Sequence, residues 1–257
     1  VGKTPVKFLW FPGQPHGLGK ITHQLREMKE EIAWIDTYLF DKELTDNEAF
    51  KEDSPLAEVF KLEEAKQENG LYGVLNKEML IPETVQVKED SISLGRFEVT
   101  NAQFKAFKES FSFDSGKDNY PAVVSKTEAE NYVTWLSAET GKTYRLPNAK
   151  EAEKLQQKAA ESAKGQNNLN TWAGYDLTAD DAAMLSQKVN SLTYSLLKPV
   201  GSNKSVKIGE AILYDLGGNV AEYSATGTYD YSAYDFADPY DQKPVKSEHV
   251  GFRIVKE

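Results

Sequence analysis

The chain has 257 residues, a net charge of −10, 40% hydrophobic and 27% charged residues, and no cysteine. That is enough chain to bury a sizeable core, in one large domain or two small ones. The acidic balance makes nucleic acid and an anionic membrane surface unsuitable partners, no apolar run has the length of a transmembrane helix, and the missing thiols exclude disulfides and thiolate metal sites.

Pro5 to Phe11 is short and apolar and reads as a buried strand. Pro12 to Gly19 reads as a loop from its Gly and Pro content, and it carries His16. No signal-peptide pattern opens the sequence, and these first residues read as the middle of a domain. Ile21 to Phe40 follows as an amphipathic helix, with Leu25, Met28, Ile32, Ile35 and Leu39 at spacings of three and four. One strand and one helix cannot cover each other's apolar faces, so residues 1–42 need a partner. Residues 43–78 are charged and mixed. They read as a connector with a short helix near 55–67 and a turn at Asn69-Gly70.

A second domain is expected over residues 79–257. Ile92, Leu94, Phe97 and Val99 alternate with a phase slip at Gly95, which predicts a strand with a bulge. Thr100-x-x-Gln103, Ser125-x-x-Glu128 and Asn148-x-x-Glu151 are three helix-opening capping boxes. Phe104, Phe107 and Phe111 follow the first at helical spacing. Tyr132, Val133 and Leu136 face inward after the second, which Gly141 stops, and Ala152 and Leu155 face inward after the third. Clear helix starts with short, scattered strands favour an irregular α+β domain over a doubly wound sheet.

Three stretches carry candidate chemistry. Tyr214-Asp215-Leu216-Gly217-Gly218-Asn219-Val220-Ala221-Glu222-Tyr223 places two acids around a Gly-Gly turn, and carboxylates alternating with free carbonyls suit a hard cation such as Ca²⁺. A buried turn with Asn219 bonded to backbone explains the same residues. Tyr223, Tyr229, Tyr231, Tyr234, Phe236 and Tyr240 interleave with Asp230, Asp235, Asp238 and Asp241. They read either as a recognition surface or as a loop covering the core. His16 reads either as a surface-loop histidine or as a general base on a loop beyond a strand.

Two family resemblances are carried by these motifs. Phe97 to Phe104, Tyr144-Arg145-Leu146-Pro147 with Glu151, Pro199-Val200-Gly201-Ser202, the Gly218-to-Tyr223 turn and Gly251-Phe252-Arg253 resemble, in order, the motifs of the formylglycine-generating enzyme (sulfatase-modifying factor) family. The resemblance implies a C-type-lectin-related fold and a calcium site formed by the side chains of Asp215 and Glu222 and the carbonyls of Gly218 and Val220. The family's second calcium site would fall near Ala182 and Ala183, which offer no side-chain oxygen. The resembled enzyme oxidises a substrate cysteine with its own copper-binding cysteine pair. This chain has no cysteine, no Arg-Gly-Gly-Ser-Trp segment, and only 28 residues between Glu222 and Gly251, so a non-catalytic domain without copper is expected.

Phe8 to Gly17, His23-Gln24-Leu25-Arg26 and Ala33 to Phe40 resemble the C-terminal end of a prolyl-oligopeptidase-family (S9) serine peptidase, an α/β-hydrolase. That resemblance makes His16 the catalytic base. The nucleophilic serine and the acid would then lie on an upstream portion, since no Gly-x-Ser-x-Gly elbow occurs here. The implied whole is a periplasmic or extracellular peptidase acting on peptides, with residues 79–257 as an accessory domain. The alternative is a non-enzymatic module docked to a protein of a cell-envelope complex.

Overall fold

The computed structural model describes residues 6, 8–9, 21–40, 72–77, 79–88, 91–238 and 247–257. The chain divides into two compact units, Val1–Glu64 and Ala65–Glu257.

In the first unit, helix α1 runs Ile21–Leu39, one residue short of the span expected. Its apolar stripe, Leu25, Met28, Ile32, Ile35 and Leu39, is exposed, while the rings of Trp34 and Tyr38 meet one turn apart, tilted by 47°, and Arg26 pairs with Glu30. Val6, Phe8 and Leu9 carry no strand assignment. The remainder of the expected strand, the His16 loop, the connector helix and the Asn69-Gly70 turn lie outside the described residues.

The second unit is a mixed helix and sheet domain. It takes in residues on the N-terminal side of 79. Tyr72 is buried against Phe97, and hairpin β1 (Val74–Asn76) and β2 (Met79–Ile81) pairs in register. A four-stranded sheet follows from β3 (Thr84–Val87), β4 (Ile92–Gly95), β5 (Tyr144–Arg145) and β11 (Val255–Lys256), in the order β3-β4-β11-β5. The expected strand from Ser91 to Val99 thus stops at Gly95. From Gly95 to Val99 the backbone instead pairs as a loop with the C-terminal segment, through Gly95 N–H to Ile254 O and Val99 N–H to Phe252 O.

All three capping boxes open helices. Thr100 caps α2 (Asn101–Phe107), Ser125 caps α3 (Lys126–Thr140) and Asn148 caps α4 (Ala149–Ser162), each with reciprocal side-chain bonds. Helix α2 ends at Phe107, so Phe111 lies beyond it, yet its ring still meets Phe104 edge-on at 4.8 Å. Short helices α5 (Leu169–Ala173) and α6 (Ala179–Asn190) fill the stretch after α4. Hairpin β6 (Val206–Ile208) and β7 (Ala211–Leu213) leads to a three-stranded sheet in which β8 (Ala221–Tyr223) lies between β9 (Thr228–Tyr229) and β10 (Val250–Gly251).

Among the described residues this unit forms two larger apolar cores and one small cluster. One gathers Leu155, Ala159, Leu213, Leu216, Tyr229, Tyr231 and Val255. The other gathers Val99, Phe104, Tyr132, Leu136, Phe252 and Ile254. Successive residues of an extended chain point to opposite sides, so Ile254 and Val255 feed one core each.

Glu128 holds the second capping box and also meets Lys108 at 2.8 Å. These contacts depress its carboxyl to about 2, Lys108 first and then Ser125. Ser125→Ala should lower stability by about 1 kcal/mol at neutral pH, read as a shift of the urea midpoint with unchanged slope; an unchanged midpoint would remove the cap from the stability of α3.

Candidate functional site

The Gly-Gly turn is buried in the second unit, between β7 and β8. Asp215, Gly217 and Asn219 all have positive φ, 63°, 107° and 70°. Asn and Asp tolerate this left-handed backbone better than other side chains, and Gly tolerates it best. At Gly218 the limit is space rather than φ: a Cβ would stand 2.5 Å from the carbonyl oxygen of Asn167.

Asn219 ties the turn to three segments. Its Oδ1 accepts from Lys198 N–H at 2.9 Å and Asn167 Nδ2 at 3.2 Å, and its Nδ2 donates to Glu98 Oε2 at 3.1 Å and Lys198 O at 3.3 Å. Its own N–H reaches Asn167 O at 2.8 Å. The buried-turn reading of Asn219 is therefore correct in kind, with side-chain partners as well as backbone ones.

Strand register assembles the charges. Parallel pairing of β10 with β8 sets Gly251 against Glu222, and antiparallel pairing of β9 sets Tyr229 against Glu222. Two residues past Gly251, Arg253 extends to Glu222, with Nη2 to Oε1 at 2.8 Å and Nε to Oε2 at 3.3 Å. The hydroxyl of Tyr229 donates to Glu222 Oε2. Arg253 also donates to Gly95 O at 2.9 Å and Tyr214 O at 2.8 Å, and both members of the pair are fully buried.

Three further carboxyls are buried close by. Glu98 accepts from Asn219 and from Val220 N–H at 3.4 Å. Asp215 accepts from Gly201 N–H at 2.5 Å and Asn203 Nδ2 at 2.9 Å. Asp230 Oδ1 accepts from Gly217 N–H at 2.8 Å and Tyr231 N–H at 2.6 Å.

One guanidinium thus faces four buried acids. Burial drives the Glu98 carboxyl well above its usual range, and Asp215 and Glu222 add to the rise. Burial and then Glu222 do the same to Asp230. Asp215 is pushed up to about 6 by burial, against the pull of its Gly201 and Asn203 donors. Burial works against the charge of Arg253, but Glu222, Tyr229 and Glu98 outweigh it and hold the guanidinium protonated. Burial thus favours the protonated form of these carboxyls, and the one guanidinium opposes it.

Of the expected site residues, Asp215, Gly218, Val220 and Glu222 do come together on this turn, and all four are buried. The donor types suit Ca²⁺. As placed, however, both carboxylates are committed: Asp215 to Gly201 and Asn203, Glu222 to Arg253 and Tyr229. A calcium ion at this turn would have to displace those donors, so the groups do not fit one in this arrangement. Near the family's other site, Ala182 packs its side chain into a small apolar cluster with Leu169 and Leu177. His16 lies outside the described residues.

Sequence reasoning passed over Glu98, Asp230 and Arg253 as site residues. Two of them carried a signal. Glu98 stands alone between Phe97 and Val99, and Arg253 alone between Phe252 and Ile254. A charge flanked by two apolar residues must be paired where the chain buries it. The described part of the tyrosine-rich stretch covers the core: Tyr229 and Tyr231 are buried, and Tyr234 stacks on His249 with centroids 3.8 Å apart. Tyr240 and Asp241 are outside the described residues.

A Sulfatase-modifying factor enzyme 1-like domain matches residues 64–256. The chain belongs to this family. The match takes in every part of the buried cluster and leaves the N-terminal unit unassigned. No curated protein matches the chain. Among solved structures, that of PvdO from Pseudomonas aeruginosa is similar at 18% identity, covering 65% of this chain and 80% of that one with a TM-score of 0.42. The sulfatase-modifying-factor-like domain here lacks the cysteines on which the resembled oxidation depends.

Removing one member of a buried ion pair strands the other, at a cost of about 3–5 kcal/mol. Arg253→Met should therefore lower stability by roughly that amount, and adding Glu222→Gln should recover part of the loss by removing the stranded charge. A double variant no more stable than Arg253→Met would show that the pair is not what holds the turn. After thorough chelation, added calcium should leave Tm unchanged. A rise that Glu222→Gln abolishes would mean that the ion does displace the protein donors.

Proposed function

We propose that the sulfatase-modifying-factor-like domain is a non-catalytic binding module on a retained scaffold. The observation carrying this reading is the pairing of an intact buried cluster (Glu98, Asn219, Glu222, Arg253) with a chain that has no cysteine. The segment after Glu222 supports it, because Tyr229, Tyr231 and Ala233 are buried in the interior instead of presenting reactive groups.

A second reading concerns the setting of the module. The exposed stripe of α1, from Leu25 to Leu39, favours further structure packed on the N-terminal unit, because an amphipathic helix gains its stability by burying that face. In this reading the packed structure is the upstream portion of a serine peptidase, His16 is its general base, and the module positions peptide substrate or docks a partner outside the cytoplasm. In the alternative, the module serves a non-enzymatic envelope complex.

A fluorophosphonate probe applied to undenatured natural material separates the two. The peptidase reading expects a labelled band larger than this chain and containing its residues, with label lost in His16→Ala. Absence of label, with these residues intact, would overturn it and leave the binding module.

A further inference from the structure

Helix α1 turns its apolar side outward and buries part of its polar side. Leu25, Met28, Ile32, Ile35 and Leu39 are between 46% and 72% exposed, whereas Glu30 is only 6% exposed and paired with Arg26. At 3.6 residues per turn Glu30 falls opposite the apolar row. Single exposed apolar residues are ordinary, but a continuous row of them marks an interaction surface.

The spacing of the row indicates its occupant. The steps from Leu25 to Leu39 are three, four, three and four, which makes Leu25, Ile32 and Leu39 the a positions and Met28 and Ile35 the d positions of a heptad. The flanking e positions hold Lys29 and Asp36, and the g positions Gln24, Glu31 and Tyr38. None of these is aliphatic. A helix laid on a globular core has a wider stripe that takes in e or g, while a strict a/d row is the narrower seam that receives another heptad helix. Among the described helices, α1 alone exposes more than one large apolar residue. The helix in this protein that matches the seam is therefore α1 of a second copy.

The charges beside the seam choose the direction. Two parallel helices would set g against e, and so Glu31 against Asp36 of the second copy, which repel. Two antiparallel helices set e against e. The register that places Lys29 against Asp36 of the second copy also stacks Met28 on its Leu39 and Ile32 on its Ile35. Two-fold symmetry repeats each of these contacts.

We infer that two copies of the chain associate through α1, antiparallel about a two-fold axis, with Ile32 and Ile35 at the centre of the contact and a Lys29–Asp36 ion pair on either side. The seam spans two heptads, so the interface is small and the dimer lies at the weak end of specific association. This inference rests on the non-enzymatic alternative, because in the peptidase reading the upstream portion takes the same stripe.

Sedimentation velocity of the full chain over a concentration series tests the dimer. The expected result is a reversible monomer–dimer equilibrium. Ile32→Glu, at a position 53% exposed in the single chain, should abolish it while leaving the circular dichroism spectrum and Tm unchanged. Lys29→Glu alone or Asp36→Lys alone turns two attractions into two repulsions and should weaken association about tenfold. The two changes together should restore it. A chain that stays monomeric at every concentration, a dimer that survives Ile32→Glu, or a double variant no tighter than either single one would each overturn the assignment. The fluorophosphonate result is independent of all three, so failure of the dimer and failure of the non-enzymatic reading are told apart.

Discussion

The ion pair between Glu222 and Arg253 is the constraint on which the second unit depends. It joins β8 to the C-terminal segment, and through the other guanidinium bonds it fastens Gly95 and Tyr214 as well. Three stretches far apart in sequence, at Gly95, Tyr214 to Glu222 and Arg253, are thus joined by one side chain with no exposed surface. Buried pairs of this kind rarely add much stability over a well-packed apolar substitute, because desolvating both ions offsets most of the attraction. Their effect is on uniqueness. A guanidinium that donates to four acceptor oxygens in fixed directions admits one arrangement of the surrounding strands, whereas an apolar side chain admits several.

The neighbouring acids extend the same logic. Glu98 is bound to the turn through Asn219 and Val220, and Asp230 through Gly217. Each carboxyl accepts backbone or amide hydrogens that the strained turn would otherwise leave buried and unpaired. The positive φ values of Asp215, Gly217 and Asn219 are held by the hydrogen bonds of Gly201 and Asn203 to Asp215, of Gly217 to Asp230, and of Asn219 to Asn167 and Lys198. Strain and polar network are parts of one device.

Much of this domain was legible in the sequence, and the reasons are local. Capping boxes act over four residues, so Thr100, Ser125 and Asn148 marked their helices directly. The Gly-Gly turn was legible because steric need and residue identity coincide there. What escaped the sequence is non-local. Arg253 and Glu98 read as isolated charges until the β10–β8 register and the Gly95–Val99 loop bring them to Glu222 and Asn219. Phe111 kept its expected partner, Phe104, while leaving its expected helix, since aromatic packing tolerates a change of backbone that periodicity does not. The strand beyond Gly95 gave way because its hydrogen bonds go to a segment more than 150 residues away, Val99 to Phe252 for instance.

The place of β11 has a consequence for how the domain comes into being. This strand, Val255–Lys256, lies inside the four-stranded sheet, between β4 and β5, and Arg253 precedes it by two residues. On the ribosome, α2, α3 and α4 can form as they emerge, because their caps and first turns are local. The sheet cannot close, nor the acids around Glu222 find their cation, until residues 250–256 have cleared the exit tunnel. Up to that moment a nascent chain carries an open gap between two strands and a buried-charge cluster without its counterion. Contacts of such sequence separation form slowly. Residues 250–256 therefore act as the latch of the domain, and a chain interrupted just before them has its helices but no closed fold.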